Sequence, residues 1–394
     1  MIPAFRDFLG TTDWGKLLRE LYPNPQGFDR DPCKSDRVSR QTEVESILWR
    51  KMAGAGLLRF PAPEVLAGDP VSVERLVCGL EETGRVLLPV PYLVSVILGA
   101  MALAGGRGKA ASRLLRQYEK GSVRLTLAID GSWMLPDRLP VTMTVRPKAG
   151  RYVLSGTVSS MLDPHAHQIF VPAFHANDKT RLSIFVVSRN DRGVDLHEEA
   201  ILDRTRTIAR LSLRDAQVST EQMVGQLGRA EPLVEAALLR CWIGLSAEMV
   251  GMADHIQTSC LAYARERRLA GRPIASFQAV AHRLADLHAR IELTRPLVRW
   301  AAQLTYRRSS DARAAASMAK AAAGDLSLNA VETGLRIHGA RGITWDHWLH
   351  LYHRRILLDR QLFGSPDLHR ELVARRILSD GGRAGPLDFA GEIP

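Results

Sequence analysis

The sequence predicts a mainly α chain with a central β domain, ordered as an N-terminal helical domain (1–118), a small all-β domain (119–220) and a C-terminal helical bundle (221–394). Three observations predict it. From residue 42 to about 118, apolar residues recur at helical spacing, as in Val44, Ile47, Leu48 and Met52. Between 120 and 218 the period changes to short β-branched runs divided by Gly, Pro, Asp and Asn. From Glu231 onward long helical stripes return.

In chain order, Gly54-Ala-Gly56 ends the first helix before Leu57-Leu58-Arg59-Phe60-Pro61. A second helix, Val71 to Gly84, turns Leu76, Val77 and Leu80 inward. Leu87-Leu-Pro-Val-Pro91 is an extended link, and Tyr92 to Ala104 is another apolar helix. Gly105-Gly-Arg-Gly-Lys109 resembles a phosphate loop only superficially. A Walker loop needs Ser or Thr after its lysine, and Ala110 stands there, so a helix–helix turn is expected. Six strands follow: Val123–Ile129, Val141–Val145, Tyr152–Ser155, Gln168–Pro172, Leu182–Val187 and Ile208–Leu213. In the bundle, Leu284, Leu287, Ile291 and Leu297 form one stripe and the alanine-rich run Ala312–Ala323 another. Pro296 falls inside its helix, where it removes a backbone bond and predicts a kink.

Composition sets the class. The chain has 394 residues, 46% apolar and 24% charged, which is a globular balance long enough for two or three domains. It contains no run of eighteen apolar residues and its start lacks a signal-peptide core, so no membrane association is expected. Cys33, Cys78, Cys241 and Cys260 lack CxxC spacing, against zinc and against a disulfide framework, and fit a reducing cytoplasm. The net charge of +11 comes mostly from arginines interleaved with acids. Such interleaving marks solvated helical faces. Without a basic tail, zinc finger or RNP-like motif it does not indicate nucleic acid. An anionic ligand or an acidic partner subunit accounts for the excess as well.

The stretch Tyr263–Gln278 reads as a helix end, a Gly271-Arg-Pro273 turn and a new helix, with Ser276 as the expected N-cap. Its arginines Arg267 and Arg272 beside a helix start suit a phosphate or diphosphate. A charged corner between two bundle helices is the plainer reading. His347, His350 and His353 share a helical spacing but form no HExxH arrangement, so solvated or interface histidines are expected there, not a metal.

Two motifs carry a resemblance to the acyl-CoA dehydrogenase family. One is Tyr263-Ala-Arg-Glu-Arg through Gly271-Arg-Pro-Ile-Ala-Ser-Phe-Gln278, with Leu284-Ala-Asp286 beyond it. The other is Ile337-His-Gly339-Ala-Arg-Gly342-Ile-Thr344 through Arg354-Arg355. Glu81-Glu-Thr-Gly-Arg85, Leu154-Ser-Gly156 and Leu202-Asp-Arg-Thr-Arg206 are weaker echoes. The resemblance covers roughly residues 40 to 380. It implies an acyl-CoA dehydrogenase-like fold with a β-barrel-like middle domain and a C-terminal four-helix bundle. It also implies α,β-dehydrogenation of an acyl-CoA thioester, with a glutamate taking the α-proton and FAD accepting hydride. The cofactor lies across a subunit interface.

Carried over residue by residue, the resemblance places Arg267 at the diphosphate of the neighbouring subunit's FAD, and Gln278 near its adenosine part. Gly339 matches the first glycine of a pair along which the cofactor runs, and its usual second member is Ala340 here. Arg336 replaces the glutamine that ordinarily precedes that pair, and Ala270 replaces an aromatic. The flavin end departs further. Ala128-Ile-Asp-Gly131 stands for the Thr-Glu-Pro-Gly segment, and Ser160-Met-Leu162 for Trp-Ile-Thr. The two positions that hold the family's base are Phe363 and Cys241, neither a carboxylate. Glu248, further along the helix from Cys241, is the candidate substitute base, with a polar contact in the bundle as its plainer role. A structural pairing is expected for Asp346.

The implied protein is a subunit without its own base, which completes the FAD site of a homologous catalytic partner in an α2β2 enzyme. Such two-gene enzymes belong to bacterial steroid and bile-acid side-chain breakdown, so a steroid side-chain CoA is the expected substrate. An electron-transfer flavoprotein or similar acceptor would reoxidise the flavin. Two alternatives stand beside it: a self-sufficient homomeric dehydrogenase using Glu248, and a non-enzymatic scaffold or nucleic-acid-associated protein.

Overall fold

Helices flank a twisted sheet in this chain, and a few tight contacts fix how they meet. A computed structural model describes residues 7–10, 12–22, 35–59, 70–106, 108–132, 134 and 138–379. Cys33, Pro61, Arg107 and the last fifteen positions of the expected bundle domain lie outside them.

The N-terminal part contains α1 (Trp14–Leu21), α2 (Ser35–Gly54) and α3 (Pro70–Arg85). A buried π-helical turn, Val94–Gly99, then runs into α4 (Ala100–Ala104), and α5 (Gly108–Glu119) follows. On α2, Leu48 and Met52 face the core as expected, but Ile47 is 45% exposed. Glu45 turns in instead, because Arg124 approaches from below and its guanidinium donates to the Glu45 carboxylate at 3.1 Å. Leu76, Val77 and Leu80 of α3 are buried as their spacing predicts. Gly105 and Gly106 end α4 ahead of α5, so that stretch is a helix–helix turn.

The sheet comprises β1 (Leu125–Leu127), β2 (Met143–Lys148), β3 (Arg151–Leu162), β4 (Gln168–His175), β5 (Asp178–Ser188), β6 (Val194–Glu198), β7 (Ile208–Val218) and β8 (Met223–Val224). Its order is β6-β7-β3-β2-β4-β5-β8, with β1 also beside β4. β1 and β2 pair with β4 in parallel and the other ladders are antiparallel. All six expected strands are present. β6 and β8 were not expected. β6 is an edge strand with an unfilled alternation, and β8 has only two residues, too few to show a period. Met143, Leu154, Val158, Ile169, Phe185 and Leu211 fill the sheet's own core. Ser95 docks β1 onto the π-helical turn, its hydroxyl donating to the Leu125 carbonyl and accepting from the Leu125 amide, both at 3.0 Å.

The C-terminal helices are α6 (Glu231–Glu266), α7 (Gln278–Tyr306), α8 (Ala312–His338), α9 (Leu349–Gln361) and α10 (Pro366–Ser379). α8 packs on α6, α7, α9 and α10, and its alanine-rich face allows that approach. Leu284, Leu287 and Ile291 are buried in α7. Beyond Pro296, Val298 is the buried residue and Leu297 only half so. α6 also meets α3 backbone to backbone. A Cβ on Gly84 would overlap the backbone of Glu248, and one on Gly251 would overlap the Glu81 carbonyl.

Two helices in such contact have no room to move apart for a methyl group without losing their shared core. Gly251→Ala is therefore expected to lower the stability of the full chain by about 2–3 kcal/mol in denaturant unfolding. An unchanged midpoint would mean that α3 is not seated on α6 in this way.

Candidate functional site

The two positions expected to hold a proton-abstracting group are both sealed. Cys241 of α6 is 0% exposed, and burial pushes its thiol up to about 12 despite Arg206 and Lys320 nearby. Phe363 is 3% exposed and follows the end of α9 in a left-handed conformation, φ +55°, with Gly364 at +115°. Its amide donates to the Gly131 carbonyl at 2.8 Å. Lys320, buried in α8, caps the same helix end by donating to the Asp359 and Arg360 carbonyls at 2.7 and 3.2 Å. The backbone there is tightly held, and its side chain has no proton chemistry.

Glu248 is 5% exposed and already committed. Its carboxylate is ion-paired with Arg206 and accepts from the Thr83 hydroxyl at 3.2 Å. Arg206 also reaches Asp359 of α9, Nε to Oδ1 at 3.0 Å. Next to it, Arg355 donates to Asp203 at 2.7 Å, and Asp203 accepts from the amide and hydroxyl of Thr205. Three carboxylates therefore share two guanidiniums in a buried junction. Burial raises Asp359 to about 6; Arg206 and Arg355 oppose that shift, while Glu248 and Asp203 add to it.

The loop expected to face the flavin is closed as well. After β1, the Ala128 amide donates to the Phe170 carbonyl at 2.8 Å and the Gly131 amide to the Ser160 carbonyl at 2.9 Å. The Asp130 carboxylate accepts from the Ser132 amide and hydroxyl and from the Ser159 amide. A Cβ on Gly131 would lie 2.9 Å from both a Leu362 methyl and the Ser160 carbonyl. The loop, β3 and the end of α9 thus touch one another.

The far end of the bundle is open. α6 stops at Glu266, Arg267 is extended, and its amide and carbonyl bond to Tyr263 and Ile274, both at 2.8 Å. Then comes a hairpin that the sequence did not suggest: β9 (Arg268–Leu269) pairs with β10 (Arg272–Pro273). Ala270 and Gly271 join them with φ of +50° and +79°, the two positive values a tight hairpin loop needs. Arg272 stacks on Phe277, 4.2 Å from guanidinium carbon to ring centre. Ser276 is not the N-cap of α7. Its hydroxyl donates back to the Pro273 carbonyl at 2.7 Å, Phe277 takes the cap position, and no side chain caps the helix.

Arg267, Gln278 and Arg336 are all exposed, and the space around Gly339 (φ +60°) is clear. Tyr263, one turn before Arg267, lies 4.5 Å from the ring of His338, which precedes Gly339. The four expected cofactor residues thus lie on the same end of the bundle, around the uncapped start of α7. Exposed guanidiniums beside uncapped helix amides can hold a diphosphate. Along the seam between β2, β5 and the starts of α6 and α8 runs a cleft of about 760 Å³, lined among others by Arg138, Thr142, Lys179 and an Arg313–Glu235 pair.

His347 is buried rather than solvated, and His350 bonds through Nε2 to the Trp345 carbonyl at 2.9 Å; Asp346, for which a structural pairing was expected, is exposed. Among the described residues no group of three or more His, Cys, Asp or Glu is placed to hold a metal ion. Arg206, quoted in the sequence only within a weak echo, proves to be the centre of the junction.

Three comparisons bear on this geometry. The family model described as acyl-CoA dehydrogenase, C-terminal domain, matches residues 233–378. A Mycobacterium tuberculosis protein, acyl-CoA dehydrogenase IpdE2, is 31% identical over 330 residues, covering 83% of this chain and 85% of its own. Among solved structures, the ChsE4-ChsE5 complex from Mycobacterium tuberculosis superposes with a TM-score of 0.76 at 25% identity, over 95% of this chain and 97% of that one. An acyl-CoA dehydrogenase complexed with FAD from Bacillus anthracis gives 0.80 at 19% identity, covering 97% of this chain and 67% of the other.

Removing the shared cation should be costly, since two buried carboxylates would lose their partner. Arg206→Met is expected to destabilise the chain by about 3–5 kcal/mol in equilibrium unfolding. A loss below about 1 kcal/mol, the range of exposed ion pairs, would show that the junction is wet.

Proposed function

The chain belongs to the acyl-CoA dehydrogenase family, and we propose that within it this polypeptide is the non-catalytic subunit of a two-chain enzyme, completing the cofactor site of a homologous catalytic partner. One observation supports the reading: Phe363 and Cys241, which the resemblance matches to the base positions, are both buried, and Glu248 is held by Arg206 and Thr83. A carboxylate pinned in a buried ion pair does not face a thioester, which disfavours the homomeric enzyme with Glu248 as base.

FAD is the family's cofactor and supplies the hydride acceptor when bound. This chain's residues fit one end of it. Arg267 offers a guanidinium fork for the diphosphate, and Gln278 and the uncapped start of α7 offer neutral donors. Gly339 keeps the backbone bare along the cofactor's path, with Arg336 exposed beside it. The loop at Gly131, bonded to Ser160 and Phe363, does not fit an isoalloxazine. The ring and the base thus fall to the partner, giving one FAD per two chains in an α2β2 assembly. The exposed arginines of the hairpin account for part of the net positive charge without invoking nucleic acid. The substrate class is an acyl-CoA, with a steroid side-chain thioester favoured by the resemblance to two-gene enzymes, and an electron-transfer flavoprotein is the acceptor expected to reoxidise the complex.

Co-expressed with its catalytic partner, the chain should yield an active complex with a flavin-to-chain ratio near one to two. Arg267→Ala in this chain should weaken flavin retention about ten- to a hundredfold, the worth of charge-assisted hydrogen bonds, with the assembly intact. Full dehydrogenase activity from this chain purified alone would overturn the assignment.

A further inference from the structure

The connection between α8 and α9 holds a cluster of imidazoles that the proposed function does not use. His338, His347 and His255 surround Trp348, with ring centres 6.0, 5.0 and 5.0 Å from it. His338 lies 4.5 Å from both His347 and Tyr263, and His255 stacks on Tyr352 at 4.8 Å with a 2° interplanar angle. His350 stacks on Trp345, whose ring also carries Arg354 at 4.4 Å. His338 is 7% exposed, and neither of its ring nitrogens finds a hydrogen-bond partner among the described residues.

One hydrogen bond favours the neutral form of His347. His347 Nδ1 accepts from the Leu349 amide at 3.3 Å, which caps the first turn of α9. A proton on that nitrogen would set a donor against a donor. We propose that the α8–α9 connection is an acid-sensitive latch, closed over neutral His338 and His347 and opened when protons enter this ring cluster.

The charged groups bearing on the rings are cations from three sides: Arg85 of α3 on His255, Arg341 of the connection on His338 and His347, and Arg354 of α9 on His350 and His353. The carboxylate next along α6, Asp254, is taken by Arg85 and Arg295, and Asp346 is exposed. A new imidazolium thus meets repulsion as well as desolvation. Burial is the larger cause and lowers all five histidines, His338 and His255 to about 4. For a histidine depressed in the folded state, stability is fully present above the free value near 6.5 and is lost as pH falls through 6.5 toward 4. His338, held near 4 and freed when the latch opens, shifts the opening equilibrium roughly tenfold between pH 7.5 and 5.5, whereas His255 belongs to α6, outside the latch.

The latch carries Gly339 and lies against Tyr263 at the root of the Arg267 arm. Its consequence for the partner's cofactor therefore rests on the function proposed above, whereas the opening itself does not. Hydrogen exchange of the full chain, without partner or flavin, tests it. After correction for intrinsic exchange, amide protection across residues 339–350 should fall at least tenfold between pH 7.5 and 5.5. The His338→Phe/His347→Asn variant, which keeps an aromatic filler and a non-titrating cap, should hold its protection, and His338→Phe alone should lose part of the response. Unchanged protection in the wild-type chain, or an equal fall in the double variant, would overturn the latch.

Discussion

One guanidinium decides how the sheet and the bundle meet. Arg206 leaves the connection before β7, where it binds Glu248 of α6 and Asp359 of α9 at once. A buried cation cannot abandon either acid without leaving a charge in a medium that solvates it poorly. Glu248 is therefore lost to proton transfer, and α9 is held in one position along its axis. The Phe363–Gly364 turn is then delivered against Gly131, with Lys320 fixing the carbonyls at the helix end. The pinned Glu248 and the contact between Phe363 and Gly131 are thus two aspects of the same packing.

The molecule divides chemically along its length. Where the family resemblance expects a carboxylate and a stacking ring, the chain has Phe363, Cys241 and Ser160, the first two buried. Its opposite end carries guanidiniums, a bare glycine and uncapped amides that face solvent. Polar groups of that kind lose nothing while hydrated and gain only when an anion arrives. The function proposed above needs that second end and can dispense with the first.

Much of the architecture was legible because it depends on period. The stripes at Leu76–Leu80 and Leu284–Ile291 and the six β-branched runs gave elements that the structure contains. What escaped depends on contacts distant in sequence. Ile47 fitted the apolar spacing yet lies exposed, while Glu45 turns inward to pair with Arg124. The partners of Arg206 lie 42 and 153 positions away, beyond any local pattern. Ser276 had the composition of a cap, but its hydroxyl turned back to Pro273. The hairpin at Arg268–Pro273 has two residues per strand, too short for an alternation to register. Arg336 and Gly339 were named only through the family motifs; the turn itself gave Arg267 and Arg272 as an anion-binding corner.

The tip of that hairpin has a consequence for how the arm can diverge. Ala270 and Gly271 form its entire loop, and both sit at positive φ. A two-residue loop sets the pairing of the strands it joins, so one inserted residue would slip the register and turn the side chains of one strand to the opposite face. Length is thus frozen at this point while composition is not, since Ala270 already tolerates a backbone shape better suited to glycine or asparagine. Descendants of this chain can recolour the arm by substitution, but they cannot lengthen its tip by a single step.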